Sequence, residues 1–215
     1  MTIPKLYPIL DTGLFERRQF PLLEAARLLL EAGVHLIQWR CKTAIGSEQV
    51  KQVDRLVALC GKHSAALIVN DRADLALMTG AGGVHVGQDD LPPTSVRQLV
   101  GPRALLGFST HNRSQFLEAT KMPVDYLAIG PIFGTRNKEN PDPAVGLETL
   151  KLCAGLTRLP VVAIGGITRV NAQQIFAEGA ASVAVIGDLV PDPCDADLLR
   201  HRIDAWMRLT ESPVV

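Results

Sequence analysis

The sequence predicts a single (β/α)8 barrel domain over residues 1–215, and three observations support this fold class. Short apolar runs alternate with longer amphipathic segments eight times along the chain. The repeating unit is about 27 residues long, which matches the lower size range of such barrels. Apart from the short segment 139–143, no linker, low-complexity tract or charge block marks a domain boundary. A doubly wound open sheet is the alternative, because periodicity alone does not show that a sheet closes.

The eight short apolar runs are predicted as buried parallel strands. Their C-terminal ends matter most, because ligands bind at those ends in both candidate folds. The predicted strands are residues 6–10, 35–39, 66–69, 83–86, 104–108, 125–129, 161–164 and 182–186.

The amphipathic segments between these runs are predicted as helices. Ser47 and the pair Pro92-Pro93 are typical helix starts. Glycine is the typical residue after a helix end, and it occurs at positions 33, 61, 80, 101 and 179. The predicted helices lie near residues 20–32, 47–62, 72–79, 94–100, 112–121, 145–155, 170–178 and 195–209.

Composition narrows the functional classes. Lys+Arg and Asp+Glu both number 22, which argues against a general nucleic-acid or anionic-membrane surface. No apolar run approaches the ~18 residues of a membrane span, and the N-terminus lacks the pattern of a signal peptide. The four cysteines (41, 60, 153 and 194) show no CxxC spacing, as expected for a reduced cytosolic chain. The sequence predicts a soluble cytoplasmic protein and leaves a homo-oligomer open.

Two predicted strands near the end of the chain lead into glycines. Gly130 follows one of them and Gly165-Gly166 follows the next, while Lys138 lies a few residues beyond the first. Glycine allows backbone N–H groups to approach an anion closely, and a lysine supplies the opposite charge. These two strand ends predict a phosphorylated substrate.

The second predicted strand ends in polar and basic residues. In an extended chain Gln38, Arg40 and Lys42 share one face, while Trp39 and Cys41 share the other. An arginine, which can bind bidentately, and a lysine point charge together suit a diphosphate. The alternative is an exposed basic turn. The opposite orientation of Cys41 favours packing over a role as nucleophile.

Acidic residues end the third and fourth strands. Asp71 follows the third, and Asp89 and Asp90 follow the fourth, where alternation predicts that only one of the pair faces the cavity. Carboxylates on adjacent strand ends that face a basic cradle suit a Mg²⁺–diphosphate, because Mg²⁺ takes one or two carboxylates plus phosphate oxygens. The alternative for Asp71 is a helix cap.

Ser109, Thr110 and His111 end the fifth strand. A serine or threonine there is typical of a helix cap, and the alternative is a hydroxyl or imidazole that contacts substrate. No GxSxG motif accompanies the pair Ser109 and His111, so a hydrolase is not indicated.

Six motifs in order, from about residue 35 to residue 188, make the chain similar to the thiamine phosphate synthase family. One such motif is weak evidence, whereas six at suitable spacing are highly specific. The matching pieces are Gln38-x-Arg40-x-Lys42, Val69-Asn70-Asp71, His85-Val86-Gly87-Gln88-x-Asp90, Gly107-x-Ser109-x-His111, Gly130-Pro131-Ile132-Phe133-x-Thr135-x-x-Lys138 and Ile164-Gly165-Gly166-Ile167.

The resemblance implies a reaction and two substrates. The family joins 4-amino-5-hydroxymethyl-2-methylpyrimidine diphosphate to a thiazole phosphate, and it releases diphosphate and thiamine phosphate. The resemblance further implies Mg²⁺ on Asp71 and Asp90. Catalysis would rest on Lys138, Arg40 and Ser109. The implied contacts of the pyrimidine diphosphate are Gln38, Arg40, Lys42, Asn70, Ser109 and Lys138.

The thiazole phosphate would be held by Thr135 and by the backbone near Gly166, Ile186 and Gly187. That placement agrees with the rule that loops after strands seven and eight of a barrel often bind phosphate. The sequence departs from the family pattern at Gly134 and Asn137, within the commonly Pro-Thr-x-Thr-Lys segment. Asn137 can still donate a hydrogen bond to substrate.

Two further departures are Gly187, where the family usually has serine, and Trp39, which is bulkier than usual. Two other functions compete with the synthase. A thiazole tautomerase of the same fold family would need no diphosphate cradle, and the retained cradle residues argue against it. A non-catalytic barrel that senses a phosphorylated ligand is the other, and the chain shows no attached interaction segment.

Overall fold

A computed structural model describes residues 3–43, 46–134 and 143–211. Eight parallel strands form a closed barrel, with each strand hydrogen-bonded to the next in sequence and β8 to β1. The predicted barrel is therefore confirmed, and the open-sheet alternative is excluded. The strands are β1 (Leu6–Asp11), β2 (Leu36–Arg40), β3 (Ala66–Asn70), β4 (Gly83–Val86), β5 (Leu105–Thr110), β6 (Tyr126–Ile129), β7 (Val161–Ile164) and β8 (Ser182–Val185).

Helices cover the outside of this barrel. Eight correspond to predicted segments, and one short helix directly after β1 was not predicted. Within the described ranges the helices are α1 (Thr12–Arg17), α2 (Leu22–Glu31), α3 (Ser47–Lys62), α4 (Ala73–Thr79), α5 (Pro93–Val100), α6 (Arg113–Ala119), α7 (Gly146–Ala154), α8 (Ala172–Ala177) and α9 (Ala196–Glu211).

The apolar core has two layers, because alternate residues of each strand face opposite sides of the sheet. On β1, Leu6 and Leu10 pack outward against the helices, in a cluster that also contains Trp39 and Trp206. The residues next to these in the strand, such as Tyr7, face the barrel interior. There Tyr7 belongs to a cluster with apolar side chains from six other strands and from the N-terminal segment. Burial on both faces explains why the strands read as continuous apolar runs.

The unpredicted helix α1 begins at the end of β1. Asp11 is the last residue of the strand and also the N-cap, since its Oδ1 accepts a hydrogen bond from Leu14 N at 2.9 Å. A strand that ends on a cap residue leaves no loop between the elements. The helix has only 6 residues, too few for a recognisable amphipathic pattern.

Glycine ends helices where the sequence predicts it, with one exception. Gly80 and Gly101 follow α4 and α5 with φ of +67° and +77°. Gly61 does not end its helix, because α3 continues to Lys62 and is capped by His63.

All four cysteines of the chain are free. Across the described ranges, no helix combines the length and the apolar character that a membrane span requires.

Candidate active site

A cavity of about 530 Å³ opens at the C-terminal ends of the strands, and all eight strands contribute to its lining. Every predicted site residue within the described ranges lies on this one cavity. These residues are Gln38, Arg40, Lys42, Asn70, Asp71, Asp90, Ser109, Gly166, Ile186 and Gly187. Three others, Thr135, Asn137 and Lys138, lie outside the described residues.

The second strand divides its side chains as alternation predicts. Gln38, Arg40 and Lys42 line the cavity. Trp39 is fully buried on the other side of the sheet, where its Nε1 donates to Gln52 Oε1 at 2.7 Å. Cys41 lies outside the cavity, and its Sγ is 3.2 Å from the Thr43 hydroxyl. The alternative of an exposed basic turn is therefore wrong for Gln38 and Arg40, which face inward.

Arg40 is held by an acidic partner that the sequence did not reveal. Its Nη1 forms an ion pair with Asp11 Oδ2, and the two side chains are only 15% and 14% exposed. Asp11 is at the same time the N-cap of α1 through its other oxygen. The Asp11 carboxylate, which is fixed by the start of α1, therefore orients the guanidinium through Nη1. The other N–H groups of Arg40 do not take part in this ion pair.

Two carboxylates face each other across the ends of β3 and β4. Lys42 Nζ lies 2.5 Å from Asp71 Oδ2, and Asp90 Oδ2 accepts a hydrogen bond from Gly87 N at 2.7 Å. Burial raises the pKa of the Asp90 carboxyl, and the neighbouring negative charge of Asp71 adds to that rise. A cation placed between the two carboxylates would relieve this repulsion.

Asp71 does not cap a helix. The N-cap of α4 is Arg72, which makes no side-chain capping bond. Asp71 instead has a left-handed backbone with φ of +64°, and its N–H donates to His85 O at 2.8 Å. This backbone conformation turns the carboxylate toward the cavity mouth, so the helix-cap alternative is wrong.

Asp89 and Asp90 both line the cavity, whereas alternation predicted that only one would. The reason is local: β4 ends at Val86, and residues 87–90 form a turn in which the two-residue period of a strand no longer holds.

A continuous chain of hydrogen bonds runs across the barrel interior, and all its members except Tyr126 line the cavity. Gln38 Nε2 donates to the Tyr7 hydroxyl at 3.0 Å, and that hydroxyl lies 3.0 Å from the Tyr126 hydroxyl. Tyr126 contacts His85 Nδ1 at 3.0 Å, and His85 Nε2 contacts Ser109 Oγ at 2.7 Å. Burial lowers the pKa of His85 to about 4 and raises the pKa values of both tyrosines. All three groups are therefore neutral near pH 7.

Neither Ser109 nor Thr110 caps the following helix. Asn112 does so, because its side chain accepts from Gln115 N at 2.9 Å. The Thr110 hydroxyl donates to Ala128 O at 2.8 Å, which ties β5 to β6. Ser109 therefore remains available to the cavity, with His85 as its partner.

The glycines after β7 allow a close approach of two loops. Gly165 and Gly166 have φ of +97° and +65°, and a Cβ on Gly166 would lie 2.7 Å from Gly134 O. Without that Cβ, Phe133 N donates to Gly165 O at 3.1 Å. The loops after β6 and β7 therefore form one packed wall of the cavity.

Gly187 behaves differently from these two glycines. Its backbone is not among those with positive φ in the described part of the chain. A side chain at this position therefore meets no strain from a left-handed backbone.

Asp188, which the sequence did not single out, fixes the loop after β8. Its Oδ2 accepts from Arg169 Nε and from Trp206 Nε1, both at 3.0 Å. Arg202 Nη1 donates to its backbone carbonyl at 2.5 Å and lies 3.7 Å from Oδ1. One carboxylate thus links the loops after β7 and β8 to helix α9, next to the glycines that the sequence predicts as a phosphate site.

The donor set at Asp71 and Asp90 fits Mg²⁺. Both residues offer carboxylate oxygens on one side of the cavity, beside the cations Arg40 and Lys42. Within the described ranges no cluster of three or more His, Cys, Asp or Glu residues is arranged to hold a metal. Two carboxylates are what Mg²⁺ takes from a protein when substrate phosphates and water complete its shell.

The fold and the cavity indicate an enzyme class: (β/α)8 barrels that bind phosphorylated substrates at the C-terminal ends of their strands. Comparison with known families narrows that class. The thiamine monophosphate synthase family model matches residues 6–189, and the chain belongs to this family. The enzyme family expected from the six motifs is thereby confirmed.

Individual relatives agree with this assignment. A thiamine-phosphate synthase of Koribacter versatilis (strain Ellin345) is 47% identical over 214 residues, which cover 99% of this chain and 98% of that protein. One from Caldicellulosiruptor bescii is 38% identical over 190 residues, covering 88% and 85% of the two chains. The solved structure of a thiamine phosphate pyrophosphorylase from Pyrococcus furiosus aligns with a TM-score of 0.83 and 32% identity, over 96% and 95% of the chains.

Proposed function

We propose that this protein condenses 4-amino-5-hydroxymethyl-2-methylpyrimidine diphosphate with a thiazole phosphate, and that Asp71 and Asp90 hold the Mg²⁺ of the reaction. The observation that carries the proposal is the pair of facing carboxylates beside Arg40 and Lys42 in one cavity. Neither the thiazole tautomerase nor a phosphate sensor needs this combination. A diphosphate leaving group would draw on both parts, because the carboxylates would hold Mg²⁺ and the cations would offset the phosphate charge.

The reaction breaks the bond between the pyrimidine's methylene carbon and the diphosphate oxygen. The bonding electrons leave with the diphosphate, and the electron-rich aminopyrimidine stabilises the positive carbon that remains. The thiazole nitrogen then donates its electron pair to that carbon, which forms the new C–N bond. Because ionisation precedes attack, the enzyme needs no covalent nucleophile, and Cys41 on the other side of the sheet is not required.

The cationic side chains stabilise the leaving group. Arg40, held at one arm by Asp11, would direct its other N–H groups to the diphosphate, and Lys42 and Lys138 would add point charges. Mg²⁺, when bound, supplies further positive charge to the diphosphate oxygens. Arg40 and Lys42 line a cavity walled by the barrel, where charge interactions are stronger than in open water.

The neutral polar groups orient the pyrimidine. Gln38 and Asn70 are nearly buried, with 2% and 8% of their surface exposed, and both line the cavity. Amides can donate and accept, which suits a ring that carries an amino group and ring nitrogens. Holding the ring in one orientation brings its methylene carbon to the thiazole nitrogen.

The thiazole phosphate would lie against the loops after β7 and β8. Gly166, Ile186 and Gly187 line that part of the cavity and offer backbone N–H groups. The Asp188 carboxylate holds both loops through Arg169, so the donors keep their positions without a bound ligand. Thr135 and Asn137 are the proposed side-chain contacts from the loop after β6.

A turnover assay with both substrates tests the function. Thiamine phosphate and diphosphate should form in equal amounts when the pyrimidine diphosphate, the thiazole phosphate and Mg²⁺ are all present. Isomerisation of the thiazole phosphate without the pyrimidine would instead support the tautomerase. Binding of either phosphate compound without any product would support the sensor.

We further propose that residues 1–215 form one domain of a cytoplasmic enzyme, which acts on small molecules and binds no nucleic acid. The described ends of the chain support one domain, because β1 pairs with β8 and α9 packs against α2. Four free cysteines and equal numbers of basic and acidic residues support the cytoplasm and the absence of nucleic acid. A homo-oligomer is compatible with this proposal.

Replacing Lys138 by alanine should lower kcat by more than it raises the thiazole phosphate KM. An ammonium gains interaction energy as negative charge develops on the departing oxygen, so its loss is felt in the transition state. We expect a decrease in kcat of about 10²-fold. The exposed Lys121, which pairs with Glu118, gives a matched control whose alanine variant should retain full activity. A change confined to the thiazole phosphate KM would reject this role for Lys138.

Replacing Gly187 by leucine should raise the thiazole phosphate KM and leave the pyrimidine diphosphate KM nearly unchanged. Gly187 lies on the cavity, so a large side chain would crowd the phosphate. Gly187→Ser is the matched variant, and it should bind thiazole phosphate as well as the wild type or better by a hydrogen bond of about 1 kcal/mol. If the leucine variant binds thiazole phosphate normally, the phosphate lies elsewhere in the barrel.

A further inference from the structure

The hydrogen-bond chain across the barrel interior joins Gln38 and Ser109, which face the substrates at its two ends, and its links Tyr7 and His85 also line the cavity. Gln38 on β2 and Ser109 on β5 are its ends, and both line the cavity. The links between them are Tyr7, Tyr126 and His85, which are 1%, 0% and 7% exposed. Polar groups buried this deeply need hydrogen-bond partners, so the direction of each bond in the chain is constrained.

The barrel makes room for this chain. His85, Gly107 and Tyr126 are register partners on β4, β5 and β6. A Cβ on Gly107 would overlap the Tyr126 ring and would lie 2.5 Å from His85 Nδ1. With glycine there, the imidazole and the phenol ring stack at 5.5 Å between centroids. The contact between Tyr126 and His85 therefore depends on the missing side chain of the strand between them.

Counting the available hydrogens leaves two directions in which every bond of the hydrogen-bond chain has one donor and one acceptor. Each tyrosine hydroxyl has one hydrogen to donate, and a neutral imidazole has one N–H. If Gln38 donates to Tyr7, then Tyr7 donates to Tyr126, Tyr126 to His85 Nδ1, and His85 Nε2–H to Ser109. If Gln38 accepts through Oε1 instead, every bond reverses and Ser109 donates to His85. An imidazolium donates through both nitrogens, so with Gln38 also donating, one of the two tyrosine hydrogens has no acceptor within the hydrogen-bond chain.

We propose that the chain runs from Gln38 to Ser109, which fixes His85 as the Nε2–H tautomer and turns the Ser109 hydrogen toward the cavity. The first support is the amide orientation, in which Gln38 Nε2 is the atom 3.0 Å from the Tyr7 hydroxyl. Gln38 then presents its carbonyl oxygen to the cavity as an acceptor. Ser109 accepts from His85, so its own hydrogen is available to a substrate.

The second support rests on the proposed function. An aminopyrimidine offers an amino N–H to an acceptor, and a diphosphate oxygen only accepts. An acceptor at Gln38 and a donor at Ser109 match these two groups, whereas the reversed chain would present the opposite polarity at both ends. Tyr126, which does not line the cavity, is therefore a positioning residue, since it sets the polarity of Gln38 and Ser109 without reaching the substrate. Tyr7 and His85 line the cavity and carry the same polarity on either side of Tyr126.

The tautomer of His85 tests the direction without any turnover. Long-range ¹H–¹⁵N NMR of ¹⁵N-labelled protein without substrates, near pH 7, distinguishes a protonated Nε2 from a protonated Nδ1. The chain has 5 histidines, and the signals of His85 are those lost in His85→Gln. We expect protonated Nε2 and bare Nδ1. Protonated Nδ1, or an imidazolium, would overturn the proposal whether or not the protein makes thiamine phosphate.

The variant Tyr126→Phe tests the positioning role. It removes one hydroxyl from the middle of the chain and keeps the ring that stacks on His85. We expect both His85 tautomers to be populated and kcat to fall about five- to tenfold, with the thiazole phosphate KM unchanged. A folded Tyr126→Phe protein with a single Nε2–H tautomer and unchanged kcat would overturn the role of Tyr126. The direction of the hydrogen-bond chain is tested separately, by the His85 tautomer that NMR detects in the wild-type protein.

Discussion

Replacing Asp71 by asparagine should raise the Mg²⁺ concentration needed for half-maximal turnover by about tenfold to a hundredfold or more. Removing a residue that hydrogen-bonds to a metal ligand typically lowers metal affinity by about 10- to 100-fold. Removing a residue that binds the metal itself should lower the affinity by at least as much. Asparagine is the informative substitution because Asp71 has φ of +64°, a conformation that asparagine tolerates and alanine does not. The fold is therefore preserved while one charged ligand is lost.

A second measurement separates metal binding from activity. Calorimetric titration of Mg²⁺ in the presence of the pyrimidine diphosphate should show weaker binding to Asp71→Asn than to wild type. Asp74→Asn is the matched control, because Asp74 is an exposed carboxylate on α4 that pairs with Arg72. Full activity of the wild type in excess chelator would refute the metal requirement. Equal Mg²⁺ affinity of wild type and Asp71→Asn would refute the assignment of Asp71.

Replacing Arg40 by alanine should lower kcat/KM for the pyrimidine diphosphate by about 10²- to 10³-fold, the usual cost of removing one donor that stabilises developing charge. The loss should exceed that caused by replacing a basic residue with no fixed orientation. Asp11, which caps α1, already orients the Arg40 guanidinium before substrate binds. Steady-state kinetics with each substrate varied in turn measures the change. The thiazole phosphate KM should stay close to the wild-type value.

The variant Asp11→Asn isolates the contribution of orientation. Asparagine is as good an N-cap as aspartate, so α1 should stay intact while the ion pair to Arg40 is lost. We expect a decrease in kcat/KM of about tenfold or less, well below that of Arg40→Ala. Arg27→Ala, at an exposed arginine paired with Glu24 and Glu31, should have no effect. If Arg40→Ala stays within twofold of wild type, Arg40 does not bind the leaving group.

The strands and the strand-end residues were predictable because their signals are local. A buried parallel strand is a continuous apolar run, and the residues after it are at the mouth of the barrel whatever the rest of the chain does. The two-residue period then places Gln38, Arg40 and Lys42 on one face without knowledge of any other strand. The same period failed at Asp89 and Asp90 because the strand had already ended.

The partners of these residues were not predictable, because they come from distant parts of the chain. Asp11 lies 29 residues from Arg40, and nothing in the run Leu10-Asp11-Thr12 indicates that its carboxylate faces the second strand. Tyr7 and Tyr126 are 119 residues apart and resemble ordinary core aromatics in sequence. Only the closed barrel brings their hydroxyls together, since inward-facing residues of non-adjacent strands meet across its interior.

The linkage of Asp188 to α9 has a consequence for how the enzyme is made. A ribosome delivers the chain from its N-terminus, so β1 to β7 emerge before β8, Arg202 and Trp206 exist. Until residues 182–211 have left the ribosome, β1 has no partner on one side and the loops after β7 and β8 have no tie to the last helix. The loops after β7 and β8 are thus the last part of the barrel mouth to be fixed, and a chain truncated within its final helix would retain most of the barrel but lack the ties that hold these loops.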